Sequence, residues 1–195
     1  MMIRLLFMLI GCSVGHSLLA QHSVFIRWTR RSDMPVAQTI YYDTAKPLVW
    51  TDFKGRPETG GMTAALTTAG FGYGANMGYT ETKSEIRIDV YCYFDKSRSW
   101  VKPDRKTDYV LNHEQRHYDL AFVAAAQFVA ELRATNLSAD NLNDRLKLIY
   151  DKATASMQEW QDRYDKETRN GLDRLEQDRW NDQIDALLRE AKKSL

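Results

Sequence analysis

The spacing of apolar positions changes period near Trp100–Pro103, and the chain divides there. Upstream the period is two. Ile86, Ile88, Val90, Cys92 and Phe94 alternate with polar or tyrosine positions, the pattern of a half-buried strand with Cys92 pointing inward. Val24 to Trp28 and Gln38 to Tyr42 are shorter β-prone runs, followed by Pro47 to Phe53 and a turn-rich stretch, Lys54 to Gly61. Met62 to Tyr73 alternates well enough to predict a strand paired with 85–94 across a loop at Gly74 to Lys83. The first half thus predicts a small antiparallel sheet over about 24–95. Gly70, Gly72 and Gly74 have the look of a phosphate loop, but no helix start follows them, so they read as strand or hairpin glycines.

Downstream the period is that of helices, over about 105–193. Thr107 or Asp104 can cap a first helix that runs to about Arg133, with Asn136 and Ser138 to Asp140 as the break after it. Leu142, Leu146, Ile149, Ala153, Met157, Trp160 and Tyr164 form one apolar stripe on a second helix and are read as core-facing. Asn170-Gly171 separates it from a third, Leu172 to about Lys192, with Leu175, Trp180, Ile184, Leu187, Leu188 and Ala191 on its apolar face. The fold class is α+β: a small antiparallel sheet, then a long helix and two further amphipathic helices.

The long helix carries the chemistry. In His113-Glu114-Gln115-Arg116-His117 two histidines lie four apart, a turn of roughly 400°, so both imidazoles fall on one face with Glu114 about 100° away. That spacing suits one metal ion and one base. Zinc takes two imidazoles and a third protein ligand, and keeps a position for a water whose pKa falls to about 7; Glu114 is placed to accept its proton. The competing reading is a solvated polar face. The chain has four histidines in all, and half of them fall at ligand spacing. Beyond the pair, Leu120, Ala124 and Ala121 lie at roughly −20°, 20° and 80° on the wheel, so another helix can approach that face closely.

The third ligand is not settled by spacing. His16 falls in the N-terminal leader, and His22 would sit at a mobile mature end, which leaves a carboxylate. Asp119 projects roughly 200° from His117 and is better suited to cap, pair or orient a neighbour; Glu131 is too far along the helix. Near the end of the second helix Glu167 aligns with Trp160, whereas Asp165 lies about 100° from Tyr164, so periodicity slightly favours Glu167 over Asp165.

Composition narrows the setting. A length of 195 residues with 44% apolar and 27% charged residues fits one soluble globular domain, and a net charge of +1 gives no basic face for nucleic acid. Met1 to Arg4, the apolar run Leu5 to Ile10 and a small-residue end at Ala20 predict a signal peptide over 1–20 and a mature domain over 21–195. Leu9-Ile10-Gly11-Cys12 offers the alternative of a lipid anchor at Cys12. No run approaches the 18 or so apolar residues of a membrane span. The protein is expected to be exported, to the periplasm or outside the cell. With Cys12 lost or lipidated, Cys92 has no internal disulfide partner and reads as a small core residue.

Leu48 to Gly55, the Thr-Ala-rich segment at 63–68, His113 to Asp119, and Tyr164-Asp165-x-x-Thr168-x-x-Gly171 with Gln177 and Trp180 beyond occur in an order that resembles a family of secreted bacterial domains of unknown function, described as zinc-dependent proteases. The resemblance covers about residues 40–185 and implies a zincin-like metallopeptidase. Its pattern, Tyr-Asp-x-x-Thr-x-His-Gly, favours Asp165 as third ligand and leaves Glu167 in reserve. This chain carries Asn170 where that pattern has histidine, a departure that implies weaker zinc binding or lost activity if the histidine is a ligand or stabilises the transition state. The combined expectation is Zn2+ on His113, His117 and Asp165, Glu114 as general base, and a peptide or protein substrate added as a strand at the sheet edge. Tyr164, or Tyr150, would donate a hydrogen bond to the developing oxyanion. The alternative is an envelope binding or scaffold domain that keeps the fold without hydrolysis.

Overall fold

The computed structural model describes residues 21–79 and 83–195; the leader and the Cys12 alternative lie outside them. Strand β5 (Lys83–Asp95) organises the sheet. One edge of it pairs antiparallel with β4 (Ala69–Tyr79) over its whole length, Ala69 opposite Phe94 and Tyr79 opposite Ser84. The other edge is shared by β1 (Gln21–Trp28), with Val24 opposite Ile86, and by β2 (Thr39–Tyr41), with Ile40 opposite Phe94. A separate two-stranded ribbon joins β3 (Ala65–Leu66) to β6 (Trp100–Val101).

Three details depart from the sequence reading. The β1–β5 pairing is parallel, so the sheet is mixed; two strands more than fifty residues apart have an intervening chain long enough for the crossover that parallel pairing needs. His22, expected at a mobile end, has its backbone in β1 opposite Ser84. The hairpin strand starts at Ala69 rather than Met62, and Gly74 to Tyr79, read as loop, continue it. Aromatic rings from β5 lie over two of these glycines, Tyr93 over Gly70 and Tyr91 over Gly72. A Cβ on Gly72 would come within 2.7 Å of the Tyr91 hydroxyl, so only glycine admits that ring.

The inward face of β5 is Ile86, Ile88, Val90, Cys92 and Phe94, all fully buried. It is covered by α1 (Asp108–Ala134), whose residues Ala121 to Ala126, Phe128, Val129 and Leu132 belong to the same core. Tyr42 stacks on Phe122 at 4.1 Å between ring centres, and Phe128 meets Phe71, Tyr73 and Tyr150 at 5.5 to 5.7 Å. Each such side chain contributes about 1.5–3 kcal/mol when fully buried. Thr107, not Asp104, caps α1, its hydroxyl accepting from Val110 N at 3.2 Å.

Two helices then pack on the face that continues from the histidines. Leu120 is enclosed by Tyr164 of α2 (Leu142–Thr168) and by Trp180 and Ile184 of α3 (Arg174–Lys193). The chain leaves α2 through three consecutive left-handed residues, Arg169, Asn170 and Gly171, one earlier than the glycine signal suggests. Asp173 caps α3 by accepting from Glu176 N, so Leu172 lies in the turn; it and Leu175 are 70% and 64% exposed rather than core. No helix among the described residues is long and apolar enough to cross a membrane.

Candidate metal centre

The site forms where the first turns of α1, the last turns of α2 and the start of α3 meet. His113 is buried and His117 nearly so, and their Nε2 atoms lie 3.3 Å apart. Asp165 brings Oδ1 to 3.2 Å from His113 Nε2 and 3.0 Å from His117 Nε2. Among the described residues these three form the one group of His, Cys, Asp and Glu close enough to share an ion. Tetrahedral zinc with bonds of about 2.0–2.1 Å separates neighbouring donors by roughly 3.3–3.4 Å, so the triangle has the right size. Its donor set, two imidazoles and one carboxylate, is also one that zinc takes.

Wheel angles slightly favour Glu167, which aligns with Trp160, over Asp165, which flanks the stripe. The tertiary packing separates them. Glu167 accepts from Trp180 Nε1 at 2.8 Å and pairs with Arg163, outside the donor group. Asp165 faces the histidines, and its carboxyl is held well below the usual range: burial opposes ionisation, but hydrogen bonds from His113 and His117 outweigh it. His117 moves the opposite way for the reciprocal reason, burial lowering its affinity for a proton while Asp165 and the charge of Glu114 raise it more.

Glu114 is 4% exposed, and its Oε2 meets no hydrogen-bond donor of the described residues. A buried carboxylate oxygen without a partner is costly and therefore informative. Its charge acts on both His117 and Tyr164, which places it at the same centre. The helix is steadied just there, since Thr67, beyond β3, donates its hydroxyl to Glu114 O at 3.2 Å.

Tyr164 is fully buried and its ring stacks on His113 at 4.7 Å. Its hydroxyl donates to His113 O at 3.3 Å and accepts from Gln177 Nε2 at 2.6 Å. Burial pushes the phenol far above its ordinary range, with Gln177 pulling the other way. A hydroxyl so occupied has no proton to offer an oxyanion, and Tyr164 supports the His113 ring instead. Tyr150 belongs to the sheet side, where it donates to Phe71 O at 3.2 Å, fifteen residues or roughly 22 Å along the helix from Asp165.

Three contributors have no role at the site in the sequence reading, although Gly171 and Gln177 stand among the residues that carry the resemblance. Gln177 Oε1 hydrogen-bonds His113 Nδ1 at 2.9 Å, and Gln161 Oε1 hydrogen-bonds His117 Nδ1. Gly171 lies against the His113 ring, where a Cβ would approach Nδ1 to 3.2 Å, and its φ of +76° suits glycine. Gln161 sits one turn before Asp165, a spacing that could have flagged it; the signal for Gln177 is its place in the pattern that carries the resemblance. Asp119 does orient its neighbours: it accepts from Tyr42, Gln115 and Arg116 at 2.8, 2.8 and 3.1 Å. Gln115 in turn accepts from Leu48 N at 2.8 Å and ties the Leu48–Phe53 segment to α1. Asn170 is exposed in a left-handed conformation that asparagine tolerates, its N–H bonded to Asp165 O at 2.7 Å, and it stands outside the donor triangle.

Fold and site together describe a mixed α+β protein in which one long helix, backed by a small sheet, presents two histidines to a part-exposed aspartate on the second helix. The chain belongs to a family of bacterial proteins of unknown function (DUF922), whose model matches residues 54–171, more than half of its length. That span takes in β3 to β6, α1 and α2 and ends on Gly171, so all three donors and Glu114 lie inside it while Gln177 lies beyond. No curated protein and no solved structure matches the chain.

Proposed function

We propose that this is an exported zinc-dependent peptidase with a zincin-like arrangement, in which His113, His117 and Asp165 hold the ion and Glu114 is the general base. The observation that supports it most is the convergence of two Nε2 atoms and a carboxylate oxygen at 3.0–3.3 Å, beside a buried glutamate oxygen with no partner. Zinc bound there would supply a Lewis acid able to acidify water and polarise a carbonyl. Glu114, whose Oε2 is buried without a partner, takes up the proton released as water attacks the scissile carbonyl. Tyr164 and Gly171 both pack against the His113 ring. An extended peptide added to the ribbon at β3 would pass near Glu114 through the Thr67 contact, so that main-chain pairing selects the substrate.

The test combines metal content with cleavage of a mixed peptide pool. One zinc per chain is expected, with cleavage lowered about 10²–10⁴-fold in Glu114→Gln while zinc is retained. A second reading, a binding or scaffold domain of the same fold, draws on Asn170, which replaces the histidine of the pattern this chain resembles. Zinc at one per chain with no cleavage by either protein would select that reading. Export is checked by the mature N-terminus: Gln21 for signal cleavage, lipid-modified Cys12 for an anchor.

A further inference from the structure

A histidine offers Nε2 to an ion only if its proton sits on Nδ1. We infer that side-chain amides fix both imidazoles in that tautomer through protein groups alone, Gln161 acting on His117 and a relay from Arg116 through Asn181 and Gln177 acting on His113. The inference deepens the metal-site reading, on which it rests only for its purpose, and makes Gln161, Gln177 and Asn181 positioning residues.

The two amides are oriented by groups of a single polarity. Gln161 touches the His117 residue twice, its Nε2 donating to the backbone oxygen at 2.9 Å and its Oε1 meeting Nδ1. A backbone carbonyl can only accept, so the atom facing it must be the amide NH2, and the amide oxygen then faces the ring. That oxygen also only accepts, so Nδ1 carries the proton.

Gln177 needs a longer chain of reasoning, because one of its neighbours, the Tyr164 hydroxyl, can donate or accept. The other neighbour decides. Asn181 Oδ1 lies 3.1 Å from Gln177 Nε2 and 3.1 Å from Arg116 Nε. A guanidinium can only donate, so Asn181 must present oxygen at that point, and Gln177 must present nitrogen to it. Tyr164 agrees, its proton being directed at His113 O. Gln177 Oε1 is thereby turned to His113 Nδ1, which donates at 2.9 Å. Arg116 is itself anchored by Asp119 at 3.1 Å and Asp185 at 2.7 Å. A charged group two side chains away thus determines that a buried imidazole donates from Nδ1. Neutral amides orient the rings without competing for the proton as a carboxylate would.

The test is made on the full chain, stripped of metal and labelled with 15N-histidine, in mildly alkaline solution. Two-bond nitrogen–proton correlations distinguish protonated from bare ring nitrogens. Both His113 and His117 should be protonated at Nδ1. Gln177→Leu and Asn181→Leu should release His113 alone, Gln161→Leu should release His117 alone, and Asn181→Asp, which keeps an acceptor for both Gln177 and Arg116, should behave as the unsubstituted chain. Cobalt(II) affinity, read from its visible absorption, should fall about 10–100-fold in the releasing variants and not in Asn181→Asp. A bare Nδ1 on either ring in the unsubstituted chain overturns the inference, whatever proton Nε2 shares with Asp165, and needs no variant to fold. So does an unaltered His113 tautomer in both Gln177→Leu and Asn181→Leu. If the expected tautomers and responses are found but the unsubstituted chain takes up no cobalt, the relay stands and the metal-site reading fails.

Discussion

Between Leu120 and Leu132, α1 buries alkyl groups and aromatic rings; between His113 and Asp119, only a turn or two upstream, the same helix buries two ionisable groups of its HExxH motif, a tyrosine and an aspartate. The lower half needs only volume and complementary shape, because dispersion and apolar burial are indifferent to which neighbour supplies them. The upper half needs a particular partner for nearly every polar atom. Asp119 has Tyr42, Gln115 and Arg116, and each histidine has a glutamine at Nδ1 and Asp165 at Nε2. Glu114 Oε2 is the exception. Within a buried stretch where partners are otherwise supplied so fully, the atom left over marks where chemistry is expected.

Predictions follow that contrast. Phe128→Ala should remove about 3–5 kcal/mol of stability in urea unfolding, since the ring is fully buried among Phe71, Tyr73 and Tyr150, while metal uptake per folded chain stays the same. Loss of uptake would show that the two halves of α1 are not independent. Zinc at about a thousand times its dissociation constant should stabilise the protein by about 4 kcal/mol and raise its melting temperature by roughly 8–16 °C. Asp165→Ala should abolish that rise and also lower the metal-free melting point somewhat, because its contacts with both histidines are lost. Tyr164→Phe should cost about 1 kcal/mol by removing the hydroxyl that links His113 O to Gln177, a loss Asn181 limits by keeping one bond to the amide.

The smallest effect is in the pH dependence. His117, raised above the ordinary 6.5, adds stability that is complete below that value and is lost as pH rises through the folded value. Asp165, lowered, adds stability that is present above the ordinary carboxyl range and is lost only in stronger acid. The metal-free protein should therefore lose this increment from weakly acidic to alkaline solution. The zinc-loaded protein should gain over the same range, because the ion competes with the His117 proton. Melting temperatures measured from about pH 6 to 8 should slope in opposite directions. Parallel slopes would remove the ion from the imidazoles.

Much of the apolar framework was legible. The alternation through Ile86–Phe94, the cap at Thr107 and the stripe on α2 each reflect a local period or a local hydrogen bond, and such signals are carried by neighbours in the chain. Gly74 to Tyr79 misled because a glycine-rich run signals a turn only where no partner strand lies alongside, and the length of β5 supplies one. Leu175 misled because apolar character was taken for burial, and Leu172, read as the start of the third helix, lies before the cap at Asp173.

The amino-acid sequence by itself determined the division into sheet and helices and the His113-Glu114-x-x-His117 face, because a helix converts spacing into direction over one turn without outside help. Tertiary structure alone decided that Asp165 rather than Glu167 meets those histidines, that Tyr164 supports a ring instead of facing the open side of the site, and that Gln161 and Gln177 hold the two Nδ1 atoms. Those outcomes depend on how three helices separated by turns come together, where a rotation of one residue about a helix axis exchanges a donor for a bystander.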